Sequence, residues 1–234
     1  MIRYGLVCGE VLRLYKAQRT LTFPIDPCTI AEAIPNCRMM TYKEFAEFNK
    51  CDIEIVMRLN ESEFGCTHYD TPNNRYLVLW NDDPSNNNVP GRQRWTKAHE
   101  LGHVILKHLP MAAAKQMPHN GFHINSHRDF EEEADYFTSV LLCPPPLFKQ
   151  LHIYSPADIM NIFGLSEEAA NNRWREYLRW RDAKRAPEEF TWEERMRSLF
   201  RLKERAGTLK HPPFRFTKPR SSAINIWKEY DEFI

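Results

Sequence analysis

Two stretches of the chain carry the clearest helical period. Around residues 94–108, Ala98, Leu101, Ile105 and Leu109 recur at three-to-four spacing, which lines one face of a helix, and Pro110 is expected to stop it. In "DFEEEADYFTSVLLC" the residues Phe130, Ala134, Phe137 and Leu141 do the same until Pro144, Pro145 and Pro146, which cannot continue a helix. The acidic first turn of this second helix suits the positive end of its dipole. Shorter helices are marked by their ends. Thr41 and Glu44 form a capping box in "TYKEFAEFNK". Ser155, Pro156 and Gly164 bracket "SPADIMNIFG", and Ser166 caps "SEEAANNRWREYLRWRDAKR". A further helix is predicted from Glu193 to Arg205.

Strand-like patterns are fewer. "IEIVMRL" at 53–59 reads as a strand, and "FGCTHYD" and "RYLVLWND", joined by "TPNN", read as a hairpin. A strand over Ile2 to Val7 completes the expected β content. "DDPSNNNVPG" and "MPHNGFHINSH" read as loops, the stretch after Gly207 as extended, and "INIWKEYDEFI" as a docking segment. The chain shows no internal repeat. Few strands among many helices predict an α+β fold.

Composition narrows the picture without naming a partner. A chain of 234 residues, 42% hydrophobic, can bury one substantial core with a small appendage. Its formal net charge of +1 supplies no global field towards nucleic acid or a membrane surface. Arg3, Glu10 and Arg13 interrupt the N-terminal apolar run, so it does not read as a signal peptide, and no run suits a membrane span. The six cysteines contain no CxxC pair and read as reduced thiols of a cytosolic protein.

The first helix carries the chemistry. In "TKAHELGHVILKH" His99 and His103 are four apart, about 40° around a helix and about 6 Å along it, so both can reach one ion. Zinc takes imidazole nitrogens and keeps a position for water in catalytic sites. Glu100 sits too far round to be a comfortable ligand and can instead act as general base on that water. Gly102 allows another element to approach closely. An amphipathic helix with incidental histidines would show the same five residues, so a third ligand decides.

"EEEAD" offers one. Glu131 is the expected ligand, and Asp135, one turn on, the acceptor for the far ring N–H of a ligating histidine. Asp129 or Glu132 could replace Glu131 if the helix starts later. His108, nine residues after His99, is expected to face away from the ion and to sit at a helix C-terminus. His123, His127 and Arg173 are candidates for contacting substrate or an oxyanion.

The combination of "TKAHELGHVILKH", "EEEADYFTSVLLCPPPLF" and "IFGLSEEAANNRWREYL" resembles the ImmA/IrrE-type zinc metallopeptidases. Glu131, Ala134, Asp135, Phe137, Leu141, Leu142, Pro144, Phe163, Leu165, Ser166 and Arg173 fit its motifs over roughly residues 64–180. Lys97, Thr138 and Cys143 depart from it. The resemblance implies one zinc per chain held by His99, His103 and Glu131, with Glu100 as base. It implies a specific protein substrate, often a helix-turn-helix repressor, laid against the strand "RYLVLWN" by β-addition.

The expectation is therefore an α+β, zincin-like peptidase domain over residues 1–180 and a basic helical or extended segment over 181–234. The enzyme would be cytoplasmic and cleave an intracellular protein. A second class stays open: a DNA- or repressor-binding module with a structural or latent zinc site. Its support is the run from "RWREYLRWRDAKR" to "RMRSLFRLKER", where Trp174, Trp180 and Trp192 are interleaved with basic residues.

Overall fold

The computed structural model describes residues 2–83, 90–114, 128–183 and 187–212. It is mostly helical with little sheet, an α+β chain, and its contacts divide it into two compact units. The first comprises residues 1–17 and 25–142, the second residues 18–24 and 143–234. The segments "MPHNGFHINSH" and "INIWKEYDEFI" lie outside the described residues, as does the middle of "DDPSNNNVPG".

In the first unit a three-stranded sheet is built from β2 (Cys37–Thr41), β3 (Gly65–Asp70) and β4 (Arg75–Trp80) in the order β2-β4-β3; β1 belongs to the second unit. The predicted hairpin is present, with Gly65 opposite Trp80 and Asp70 opposite Arg75. β4 lies at the centre, parallel to β2 on one side and antiparallel to β3 on the other. Its backbone groups are taken on both sides, so "RYLVLWN" cannot receive a peptide by β-addition, contrary to expectation. The edge next to the long helix is β3. Because the Asn81 N–H donates to the Phe64 carbonyl, the alternation of an antiparallel ladder turns the backbone groups of Thr67 and Tyr69 outward.

Helices surround this sheet: α1 (Tyr4–Ala17), α2 (Pro27–Glu32), α3 (Tyr42–Asn49), α4 (Ile53–Asn60), α5 (Pro90–Ile105), α6 (His108–Ala114) and α7 (Arg128–Leu142). The capping box of Thr41 and Glu44 opens α3. Two expected strands are helices. "IEIVMRL" forms α4 because Ile53, Val56 and Met57 also satisfy a helical period and pack against Tyr42 and Leu79. The segment from Ile2 forms the start of α1, whose Val7, Val11, Leu14 and Tyr15 are buried. Gly5 and Gly9 weaken its intrinsic propensity, and packing on α7 outweighs them.

The long helix does not reach His108. It ends at Ile105, Lys107 adopts a left-handed φ of 58°, and α6 restarts at His108. Pro110 falls in the first turn of α6, where a missing N–H costs no helical bond.

Among its described residues the second unit holds β1 (Leu21–Thr22), which pairs in parallel with β5 (Leu209–Lys210), a short 3-10 turn at Pro145–Leu147 and three α-helices. They are α8 (Pro156–Phe163), α9 (Glu167–Asp182) and α10 (Pro187–Arg205), the last starting six residues earlier than its apolar pattern indicates. The Ser155 and Ser166 hydroxyls accept the expected capping bonds, and Gly164 closes α8 at a φ of 63°. Phe23, Phe148, Phe163 and Phe200 are fully buried here. All six cysteines are free, and no helix among the described residues is long and apolar enough to cross a membrane.

Two contacts position the helices of the first unit. At Gly65 a Cβ would lie 2.7 Å from Thr96 Cγ2 on α5 and 3.0 Å from the Leu79 carbonyl, so β3 approaches α5 where only glycine fits. α1 is tied to α7 through Arg3, whose guanidinium and backbone N–H both donate to the buried Glu133 carboxylate, at 2.5 to 3.1 Å.

Replacing Gly65 with alanine is expected to cost about 1–3 kcal/mol, the usual penalty of overpacking a closed contact. Urea unfolding measures it, and an unchanged midpoint would mean that α5 moves off β3 freely. Burial alone would raise the Glu133 pKa, but the Arg3 and His108 hydrogen bonds hold it down to about 2. A folded value below the ordinary 4.5 stabilises the protein above that pH, and the gain fades as pH falls towards 2. Glu133→Gln should lose roughly 2–3 kcal/mol at neutral pH, the low side for a buried pair because Arg3 keeps access to water. The difference from wild type should shrink below about pH 4.5 in a denaturation series; a constant difference would contradict the ion-pair account.

Candidate metal centre

α5 and α7 cross where Gly102 faces Ala134 and Phe137. A Cβ on Gly102 would sit 3.0 Å from the Phe137 ring and 3.4 Å from the Ala134 Cα. This close approach sets the turns on either side of Gly102 opposite the first turns of α7. Ala134 and Phe137, both fully buried, form the α7 side of this contact.

His99 and His103 project from α5 towards Glu131 on α7. His99 Nε2 lies 3.1 Å from His103 Nε2 and 3.2 Å from Glu131 Oε2, and His103 Nε2 lies 3.7 Å from Glu131 Oε1. Ligands of a tetrahedral ion at zinc-like bond lengths stand about 3.3 Å apart, so these two nitrogens and one oxygen can hold such a cation with little adjustment. Of the neighbouring carboxylates, Glu132 instead pairs with Arg128 on the surface, at 2.6 Å. Asp135 lies 3.0 Å from His99 Nδ1.

Glu100 is buried beside the cluster, at 9% exposure. Its Oε2 accepts a 2.7 Å hydrogen bond from the Thr67 hydroxyl on β3, a contact with no signature in the sequence because the partners are far apart along the chain. Burial pushes the Glu100 carboxyl up from its usual value, with the His99 charge and the Thr67 bond pulling the other way. Burial opposes charge on His99 as well, but the hydrogen bonds to Asp135 and Glu131 prevail and push its pKa up to about 10. His103 moves the opposite way: burial, then the positive charge of its neighbours, holds it well below the ordinary value and therefore neutral. The surroundings of His99 thus favour positive charge, while His103 keeps a neutral ring beside it.

His108 departs furthest from expectation. It is completely buried and turned towards the cluster, with Nδ1 2.9 Å from His103 Nδ1 and Nε2 3.0 Å from Glu133 Oε2. The angle expected of one continuous helix does not apply, because the left-handed turn at Lys107 redirects the chain just before this residue. Burial lowers its pKa to about 4, only partly offset by Glu133. Arg3 and Glu133, which support His108, carry no recognisable spacing relative to the histidine motif.

Lys97, a departure from the family pattern, places its ammonium 4.5 Å from the centre of the Trp80 ring. Thr138 returns its hydroxyl to the Ala134 carbonyl within α7. Arg173 lies in the second unit, where it donates to the Cys143 carbonyl and pairs with Glu176. His123 and His127 lie outside the described residues.

The family model described as the IrrE N-terminal-like domain, a peptidase family, matches residues 51–175. That span contains α5, the three clustered side chains and α7. No curated protein and no solved structure matches the chain. With the family model covering more than half of its length, the chain belongs to the ImmA/IrrE peptidase family.

Proposed function

We propose that the protein is a zinc-dependent endopeptidase with a zincin-like site, in which His99, His103 and Glu131 hold the metal and Glu100 is the general base. The observation that carries this reading is the convergence of two imidazole Nε2 atoms and a carboxylate, all within 4.8 Å of one another, next to a buried glutamate that is not part of the set. Zinc bound there would supply Lewis acidity to a water molecule and to the scissile carbonyl.

The chain's own groups divide the remaining work. Thr67 occupies Glu100 Oε2, which leaves Oε1 to take a proton from the attacking water and return it to the leaving amine. A carboxyl whose pKa is raised by burial is better matched to that proton transfer than an ordinary one. Asp135 accepts from His99 Nδ1–H, so the nitrogen that a cation would take, after displacing a proton, is Nε2. An extended substrate would add to the β3 edge through the outward backbone groups of Thr67 and Tyr69, directly beside Glu100. The substrate class proposed from the family resemblance is a specific intracellular protein, a helix-turn-helix repressor. Among the described residues of the second unit, Trp174 and Trp180 pack at a tilt against Tyr177 of the same helix, with ring centroids 5.4 and 5.7 Å away, which favours a packing role over a nucleic-acid one.

Zinc content and cleavage are measured on the wild type, Glu100→Gln and Glu131→Gln, with a quenched peptide library and the repressor encoded nearest to the gene as substrates. Glu100→Gln should keep its zinc and lose cleavage by about 10²–10⁴-fold. Glu131→Gln should lose zinc. A wild type that takes up no zinc after reconstitution, or cleavage that survives in Glu100→Gln, overturns the proposal.

A further inference from the structure

Behind His103 the side chains of His108, Glu133 and Arg3 form an unbroken hydrogen-bonded line. The line joins four elements of the first unit: α5, the start of α6, α7 and the residue preceding α1. The donor and acceptor chemistry of its far end dictates the direction of every bond in it.

A guanidinium can only donate. Arg3 presents its Nε and NH2 groups to the two oxygens of Glu133, and its backbone N–H adds a third donor at 2.7 Å. Glu133 therefore accepts on both oxygens, and His108 Nε2 must be the donor in the 3.0 Å contact with Glu133 Oε2. Arg3 already balances the charge of Glu133, so a second cation on the fully buried His108 would have no counter-charge; the ring is neutral, and its other nitrogen is a lone pair. His108 Nδ1 must accept, and the only donor available in the 2.9 Å contact is His103 Nδ1–H. That in turn leaves the lone pair of His103 on Nε2, the atom that faces His99 and Glu131.

The surroundings hold this arrangement in place. His108 is 0% exposed, and its ring stacks on Phe130 with centroids 4.6 Å apart and planes 14° from parallel. Water has no access to supply a competing donor, and the stacked ring cannot easily turn over to exchange its two nitrogens. The left-handed Lys107, a conformation that costs a non-glycine residue free energy, is what delivers His108 to this position.

We propose that Arg3, Glu133 and His108 are positioning residues that lock His103 in the Nδ1–H tautomer, so that its Nε2 lone pair is presented to the cation before any cation arrives. The role depends on the metal-site reading given above, since only a ligand needs an oriented lone pair there. The tautomer itself does not. For His99 the acceptor at Nδ1 is Asp135, reached in one step at an exposed position. For His103 the acceptor is reached through a second histidine and ends on a fixed positive charge, which keeps the carboxylate ionised and the direction constant. A neutral imidazole that already points its lone pair inward needs no tautomer exchange on binding, so removing His108 should weaken metal affinity without touching a ligand.

Nitrogen NMR of the imidazoles in the full-length, zinc-free wild type tests the tautomers directly. His103 should carry its proton on Nδ1 and His108 on Nε2; the opposite assignment for either ring overturns the proposal. Zinc affinity by chelator competition then tests the consequence. His108→Phe, which retains the stacking on Phe130 but cannot accept, should bind zinc about 10- to 100-fold more weakly. His108→Gln, whose amide can both accept and donate, should recover part of that loss. Equal affinity in folded wild type and His108→Phe overturns the proposal. Should His108→Phe fail to fold, the wild-type tautomers decide alone. A wild type with the expected tautomers but no zinc uptake would sink the metal reading and the positioning role with it, whereas zinc uptake with the wrong tautomers would sink only the latter.

Discussion

The candidate centre depends on the approach of two helix backbones at Gly102. A Cβ there would press on the Phe137 ring at 3.0 Å and meet the Ala134 Cα at 3.4 Å, so the ring or one of the helices would have to give by a few tenths of an ångström. The helical period then does the rest. Residues 99 and 103 are one turn apart on α5, 131 and 135 are one turn apart on α7, and Gly102 on Ala134 brings the two pairs face to face.

Such a contact places several ionisable groups where water reaches them poorly, and each described member has a specific partner. Glu100 has the Thr67 hydroxyl, His99 has Asp135 and Glu131, and Glu133 has Arg3 and His108. Unpartnered, these groups would cost several kcal/mol each. The pairing also divides the site electrically. On the His99 side the hydrogen bonds to Asp135 and Glu131 favour a bound positive charge, and on the His103 side burial and the positive charge of its neighbours keep the ring neutral. The proposed cation would meet attraction on one side and a neutral imidazole on the other.

The same geometry relates the sheet to the helix. Gly65 lets β3 lie against α5, and two residues later Thr67 reaches Glu100 with its hydroxyl while turning its backbone outward. One short edge strand thereby both restrains the proposed base and borders the place where an extended chain would lie.

Much of this was readable from local pattern. The histidine and glutamate spacing on α5, the Glu131 and Asp135 spacing on α7, the caps at Thr41, Ser155 and Ser166, and the β3–β4 hairpin all depend on residues near in sequence, where helix and strand periods act directly. The misread segments are those where tertiary packing overrides local preference. The glycine-containing α1 is held by α7, the apolar α4 satisfies two periods at once, and β4 became central only because β2 pairs with its far side. His108 could not be placed from its spacing, because a single left-handed residue breaks the helix on which any angular estimate relies. Arg3 and Thr67 were likewise invisible as partners, lying 130 and 33 residues from the groups that they contact. By itself the sequence determined which side chains share a helical face and could meet an ion. Only the folded chain decided which distant groups orient them, since a hydrogen bond across such separations leaves no period in the sequence.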